Sequence, residues 1–492
     1  MIRLKRATGL PSGVRVPTYP RKTLKSGIVH IGAGAFHKAH QAVYTDDALE
    51  THGGDWMITG VSLRSSDVWA AMSPQNGLYT LLVRGPDGVF PRVIGSIREI
   101  LVAPEKPDKV MVALARRETR IVSLTITEKG YGIDPRTGGL DREHPAIAAD
   151  LADPDNCVSA LGFIVAALHV RRVAGSDPFT VLCCDNLPNN GKVVKRLMLE
   201  FAEARDPGMV DYIESHVSFP STMVDRITPA STEATFADAA RLTGREDLAA
   251  VETEPFTQWI IEDDFVAGRP AWEVGGALFV EDVAPYERMK LRMLNGAHSM
   301  LAYAGFIAGH RFVRDVMGDA DLVTLIERQM ATVARTLGPV PGIDLERYAD
   351  QLLARFANPA IAHQTWQIAM DGTQKLPQRL LEPATIALSR GDPLDAYAFA
   401  VGAWMRYCLG MTETGEEYAL RDPREAEIEA LVAAARGDAG SIVDRLMSMP
   451  GLFPDVLAGS PDWRSAVTRR LETMLARDMR AAIGEEARQC RG

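Results

Sequence analysis

The stretch GIVHIGAGAFHKAHQAVYTDDAL, residues 27–49, decides the fold class. A short β-rich run, Ile28 to Ile31, passes through Gly32 and Gly34 into a helical pattern. In that strand-to-helix context a glycine pair lets backbone N–H groups approach a pyrophosphate at a helix N-terminus. The fuller GxGxxG pattern is incomplete, because His37 stands at its third glycine. A GxG alone also fits a plain turn, so the surrounding pattern has to arbitrate.

Outward from this turn, short apolar runs alternate with helical ones. WMITGVSL from Trp56, YTLLV, VIGSIREI, RIVSLTIT from Arg120 and FTVLCCDN from Phe179 each read as a strand. ALGFIVAALHVRRVAG, between the last two, has the apolar spacing of an amphipathic helix. Such alternation predicts an α/β domain with a mostly parallel sheet covered on both faces. Beyond Val283 the pattern becomes helical almost without strands, in DLVTLIERQMATVARTLG, DLERYADQLLARFA, LDAYAFAVGAWMRYCLG and DWRSAVTRRLETMLARDMRAAIGEEA. The expected organisation is a Rossmann-type dinucleotide-binding domain over residues 1–283 and a mainly α-helical substrate-binding domain over 284–492. There is no internal repeat and no low-complexity segment.

The 492-residue chain is long enough for two or three domains with substantial cores. A net charge of −10 without a long basic run argues against a nucleic-acid partner. The basic start lacks an apolar segment behind it, and no run approaches a membrane span. The five cysteines, Cys157, Cys183, Cys184, Cys408 and Cys490, form no metal-type pair and read as buried thiols. The expectation is a cytoplasmic protein without a membrane or nucleic-acid partner, monomeric or weakly homo-oligomeric.

The most unusual stretch opens the helical half. KLRMLNGAHSML, from Lys290, carries Lys290, Asn295 and His298 among residues apolar on more than one face. Buried polar groups without partners are costly, so these three either reach solvent or converge on something that needs them. On an α-helix, Glu287, Lys290, Leu294 and His298 share a face with Asn295 at its flank. Lys290 and His298 then lie ~12 Å apart along the axis.

Five motifs together, IVHIGAGAFHKAHQA, SLTITEKGY, CDNLPNNG, FPSTMVDRITP and KLRMLNGAH, resemble the mannitol dehydrogenase family of long-chain polyol dehydrogenases. Hexuronate reductases, which interconvert fructuronate and mannonate, belong to that family. The resemblance runs from about Ile28 to beyond TWQIAMDGTQKLPQRLL and covers nearly the whole chain. It implies a Rossmann-type N-terminal domain, a helical C-terminal domain and an NAD(P)-dependent, zinc-independent interconversion of a secondary alcohol and a ketone. By resemblance Lys290 is the catalytic lysine, Asn186 and Asn295 flank the reacting oxygen, and His298 binds substrate. Asp225 and Glu287 fall on positions associated with the site; an ion pair with Arg226 and a helix-start acid are their plain structural readings.

Chemically, a lysine can replace zinc if it is partly neutral. Burial and a positive nicotinamide both disfavour the ammonium form, and two amides can stabilise a developing alkoxide. Asn186 lies in the first domain, so the two domains are expected to meet at the site. The expected cofactor contacts are Ile31, Gly32, Ala33, Gly34, Phe36 and Asp67. NAD is favoured over NADP, although Arg64 could accommodate a 2′-phosphate. Lys129 stands where hexuronate members tend to carry lysine and mannitol-specific ones glycine. Lys375 and Arg379 are further candidate cations for a uronate carboxylate. The expected substrate is D-mannonate or D-fructuronate, with mannitol/fructose or another polyol as alternative. A non-catalytic nucleotide sensor is more remote, because it predicts a lost lysine or asparagine and none is lost.

Overall fold

The computed structural model describes residues 1–134 and 136–491, and the chain divides into two compact units, Met1–Ala284 and a second beginning at Pro285. In the first unit, β1 (Ser26–Ile31), β2 (Met57–Ser62), β5 (Ile97–Val102), β6 (Ile121–Leu124) and β7 (Thr180–Cys183) form one sheet in the order β5-β2-β1-β6-β7. Every neighbouring pair is parallel. Strand order reverses between β1 and β6, and the carboxyl ends there are where open α/β sheets bind ligands.

Both faces of this sheet are buried, which explains the near-continuous apolar runs. Val29, Ile31, Val122, Leu124 and Val181 pack under the helices Ala160–Val173 and Asn190–Arg205. The alternate residues Ile28, Ile58, Ile121 and Leu182 join a second core with Ala42, Tyr44, Trp259 and Trp272.

The first unit departs from the simple alternating pattern at VIGSIREI, which is not one strand. Gly95 and Ser96 separate β4 (Gly88–Ile94) from β5. The Gly95 N–H donates to Asp46 at 2.8 Å, its carbonyl accepts from Arg21 at 2.6 Å, and Ser96 Oγ donates to the Ala42 carbonyl. These distant partners turn the chain out of a small sheet and into the main one. β4 pairs antiparallel with β3 (Tyr79–Gly85), which pairs with β9 (Val251–Thr253). A third sheet holds β8 (Thr222–Asp225), β10 (Gln258–Glu262) and β11 (Leu278–Val280). The unit therefore carries antiparallel pairs beside its parallel sheet.

The second unit is helical, with only isolated β-bridges among the described residues. Gly296–Ile307 and Asp395–Tyr407 are buried along nearly their whole length and pack on each other. The long C-terminal pattern divides into Pro461–Ala476 and Met479–Arg491. Asp478 caps the second helix by accepting from the Ala481 N–H. The break returns Glu486 to the buried Arg470, which also pairs with Asp395. All five cysteines are free thiols. No helix among the described residues is long and apolar enough to cross a membrane.

Candidate active site

In the first unit the glycine turn has a defined reason for each glycine. Gly32 has φ +98°, and a Cβ there would meet the Thr125 carbonyl oxygen at 2.1 Å. Gly34 has open surroundings, with 3.8 Å to the nearest atom a Cβ would meet. A turn closed below by Gly32 and open above at Gly34 fits the close backbone approach of a dinucleotide pyrophosphate. Ile31 and Ala33 are buried beside it. Helix α1 (Ala35–Ala39) is short, and the chain bends at His40 before α2 (Gln41–His52), so the helical pattern forms two helices.

His37, in place of the third glycine, lies flat on His30 of β1, with ring centroids 3.5 Å apart and planes 12° apart. A stacked ring pair thus sets the helix–strand separation that glycine would otherwise permit. His30 bonds Ser123 Oγ and Thr125 Oγ1, both at 2.8 Å, which ties the turn to the end of β6. Burial pushes His30 down to about 3 and His37 well below its usual range, so both rings are neutral at pH 7. Phe36 stacks on His40 at 4.9 Å. Asp67 is exposed in the first turn of the helix Asp67–Met72, behind Ser66, where an acid suits the helix dipole.

The next two loops are bound together by Asp185. Its carboxylate accepts from the Ile126 and Thr127 N–H groups at 2.8 and 3.1 Å and from Tyr131 Oη at 2.7 Å. Burial raises this carboxyl above its usual range, and the three donors oppose the rise. Thr127 stands at φ 63°, ψ 160°, a region nearly reserved for glycine and costing a β-branched residue about 1–3 kcal/mol. Strain of that size persists only where surroundings enforce it, and Asp185 does so here. Sequence reasoning passed over Asp185; its signal was an acid ending a wholly apolar strand. Asn186 follows it directly and is exposed, and Lys129 is exposed in the short 3₁₀ turn Glu128–Gly130. Asp225 is buried at the end of β8. The Arg226 guanidinium donates to the carbonyls of Ala39 and Glu254, so backbone oxygens hold that arginine.

In the second unit, KLRMLN does not form an α-helix. Lys290–Asn295 is a π-turn between the α-helices Ala284–Met289 and Gly296–Ile307, and the Gly296 N–H reaches the Leu291 carbonyl five residues back. The difference changes the geometry of the site. An α-helix sets Asn295 about 140° around the axis from Lys290. Hydrogen bonding from i to i+5 returns the two to nearly the same side. The ~12 Å axial span from Lys290 to His298 is accordingly an upper value. A second π-turn, Pro377–Leu381, packs against the first, and a Cβ at Gly296 would meet the Arg379 carbonyl at 2.9 Å. Glycine permits that approach, and π-turns recur at functional sites.

Lys290 and His298 are buried, and Asn295 and Glu287 are half-buried. His298 packs on Phe356, with ring centroids 4.4 Å apart, and meets His363 edge-on at 5.5 Å. Its Nε2 is buried without a hydrogen-bond partner among the described residues. Burial holds His298 well below its usual range, and His363, Arg355, Arg379 and Lys290 all push the same way. Arg355 and His363 were not anticipated; nothing in their local sequence separates them from ordinary helix and loop residues. Lys375 donates to the carbonyls of Ile368 and Met370 and lies 3.7 Å from Asp371. Arg379 donates to Ser299 Oγ at 3.2 Å and, at the 3.5 Å limit, to the Asn295 carbonyl. Lys290, Asn295, His298, Lys375 and Arg379 therefore share the second unit, while Asn186, Asp225, Lys129 and the glycine turn belong to the first. No group of three or more His, Cys, Asp or Glu side chains among the described residues is placed to hold a metal.

Two family models match in sequence order. The mannitol dehydrogenase Rossmann domain matches residues 26–274 and the mannitol dehydrogenase C-terminal domain residues 282–475. The chain belongs to the mannitol dehydrogenase family. It is an oxidoreductase of that polyol and sugar-acid family. The uncharacterized oxidoreductase YeiQ of Escherichia coli (strain K12) is 46% identical over 93% of this chain and 94% of its own length. D-mannonate oxidoreductase of the same organism is 43% identical over 95% and 97%. Among solved structures, Pseudomonas fluorescens mannitol 2-dehydrogenase, in a ternary complex with NAD and D-mannitol, aligns with a TM-score of 0.86. It is 40% identical and covers 99% of each chain.

Proposed function

We propose that this enzyme is an NAD-dependent, zinc-independent oxidoreductase interconverting D-mannonate and D-fructuronate. The observation that carries the sugar-acid reading is the convergence of cations on His298. Lys290, Arg355 and Arg379 all act on that ring, while the nearby acid Asp371 lies 3.7 Å from Lys375 and acts on Arg379 only from beyond ion-pair distance. A neutral polyol has no use for such a field, whereas a carboxylate does. The similarity to D-mannonate oxidoreductase supports the same reading.

The open turn at Gly32 and Gly34, with Ile31, Ala33 and Phe36 about it, fits a dinucleotide, and NAD in the Pseudomonas enzyme supports that cofactor. When bound, NAD exchanges the hydride. The protein's own residues manage the proton and the developing charge. Lys290, as the uncharged amine, takes the hydroxyl proton in oxidation and returns it in reduction. Asn295, brought to the same side by the π-turn, donates its amide to the alkoxide oxygen. Asn186 is proposed as the second amide donor on the resemblance. His298, held neutral, offers one ring nitrogen to a substrate hydroxyl. Glu287, one turn before Lys290, and Asp225 are proposed as proton-relay or supporting residues.

The deciding experiment follows NADH and NADPH oxidation with fructuronate, tagaturonate and fructose, before and after exhaustive chelation. NADH oxidation with fructuronate, unchanged by EDTA, is expected. Fructose reduced as well as fructuronate would promote mannitol 2-dehydrogenase, the reading favoured by the D-mannitol-bound Pseudomonas structure. Activity lost on chelation and restored by zinc would remove the lysine mechanism.

A further inference from the structure

We propose that Arg379, rather than Lys129 or Lys375, receives the carboxylate of the substrate and sets the preference for sugar acids over neutral polyols. This rests on the sugar-acid reading above and narrows it to one side chain. Three observations separate Arg379 from the other two cations. Lys129 is exposed, where water and salt weaken any pairing. Lys375 already serves two carbonyls and sits near Asp371. Arg379 is half-buried, has no carboxylate within 4.0 Å among the described residues, and uses only one of its terminal nitrogens, Nη1.

Arg292, on the Lys290–Asn295 π-turn that packs against the one carrying Arg379, shows how this fold treats an arginine meant only to hold it together. Its Nη1 donates to the Thr336 carbonyl at 3.1 Å and its Nη2 meets Glu382 at 3.0 Å. An arginine removed from water needs that kind of neutralisation. Arg379 lacks it. Its Nε and Nη2 remain to form the planar fork that grips a carboxylate through two parallel bonds. Its position fits as well. It bonds to Asn295 and Ser299, which flank His298, and its charge bears on both His298 and Tyr303. The Tyr303 hydroxyl and His298 Nε2 are both buried without hydrogen-bond partners among the described residues. Two such atoms beside Arg379 leave hydrogen-bonding capacity for a further group. In fructuronate the carboxylate and the reacting carbonyl lie at opposite ends of the chain. Arg379, reaching in from the second π-turn, touches Asn295 and Ser299, the stretch that leads away from Lys290 past His298.

The test compares kcat/KM for fructuronate and fructose in the wild type, Arg379→Gln and Arg379→Lys at one pH and ionic strength, with thermal unfolding midpoints alongside. Arg379→Gln should lower kcat/KM for fructuronate by about tenfold to a hundredfold, chiefly through KM, and that for fructose by less than about threefold. Arg379→Lys keeps the charge but loses the fork, and should fall between the two. Equal losses on both substrates would make Arg379 a structural pin and overturn the proposal. A wild-type preference for fructuronate that survives in Arg379→Gln sinks this assignment alone. A wild type without that preference sinks the sugar-acid reading and this one together. If Arg379→Gln does not fold, Arg379→Lys decides, because a pin would not shift KM for fructuronate only.

Discussion

Asp185 in the first unit and Arg379 in the second are both charged side chains withdrawn from water beside a candidate asparagine, and their surroundings treat them oppositely. Asp185 accepts from two backbone N–H groups and a tyrosine hydroxyl, all within 3.1 Å. Arg379 has one good hydrogen bond, one marginal one and, among the described residues, no carboxylate within 4.0 Å. A charge that the fold neutralises belongs to the framework; here Asp185 holds Thr127 in a conformation it would otherwise leave. A charge left unneutralised is held for a ligand. Stability and activity should therefore respond in opposite ways when the two are altered.

The largest effect bears on the unit that holds Arg379. Lys290→Ala should lower kcat by several orders of magnitude with NADH affinity nearly unchanged, and primary amines added to the assay should restore part of the rate. Single-turnover kinetics with cofactor titration would check this. Retention of more than about a tenth of wild-type turnover would take Lys290 out of the mechanism.

Asp185→Ala tests the framework side. Loss of a carboxylate with three charge-assisted partners should lower stability in urea unfolding by about 3 kcal/mol. Arg379→Gln should change it by less than about 1 kcal/mol. Similar losses in the two variants would erase the distinction.

The buried histidines provide a pH test present in both units. His30, His37 and His298 have folded pKa values below the unfolded value near 6.5. Their contribution is therefore complete above pH 6.5 and is lost as pH falls toward the folded values, for His30 toward about 3. Between pH 7 and pH 5 His30 alone should cost about 2 kcal/mol, read from urea midpoints, and His37 and His298 add losses of the same sign. His298→Gln should flatten only its own share. Imidazole NMR signals that titrate near pH 6.5 for all three would contradict the burial.

The smallest effect expected is at Lys129. An exposed cation contributes little, so Lys129→Ala should alter the fructuronate-to-fructose preference by less than about threefold. A loss larger than that of Arg379→Gln would exchange the roles of the two residues.

Much of this arrangement was legible in the chain itself. Runs apolar at every position announced strands buried on both faces, and GAG after the first of them announced the turn at the sheet's switch point. Helical spacing beyond Val283 announced the second unit, and five ordered motifs announced the family. These signals are local: each depends on residues close in sequence and on a period of two or three to four. What they could not supply depends on partners far along the chain. VIGSIREI broke at Gly95 because Asp46 and Arg21 bind there. KLRMLN became a π-turn packed through Gly296 against the carbonyl of Arg379, more than eighty residues away. Arg292 and Arg379 look alike in sequence, yet Glu382 pairs with one and, among the described residues, no carboxylate comes within 4.0 Å of the other. Sequence alone determined the outline of strands and helices and which chemistry the family performs. Tertiary structure decided which charges are satisfied, because burial and pairing depend on groups that only folding brings together.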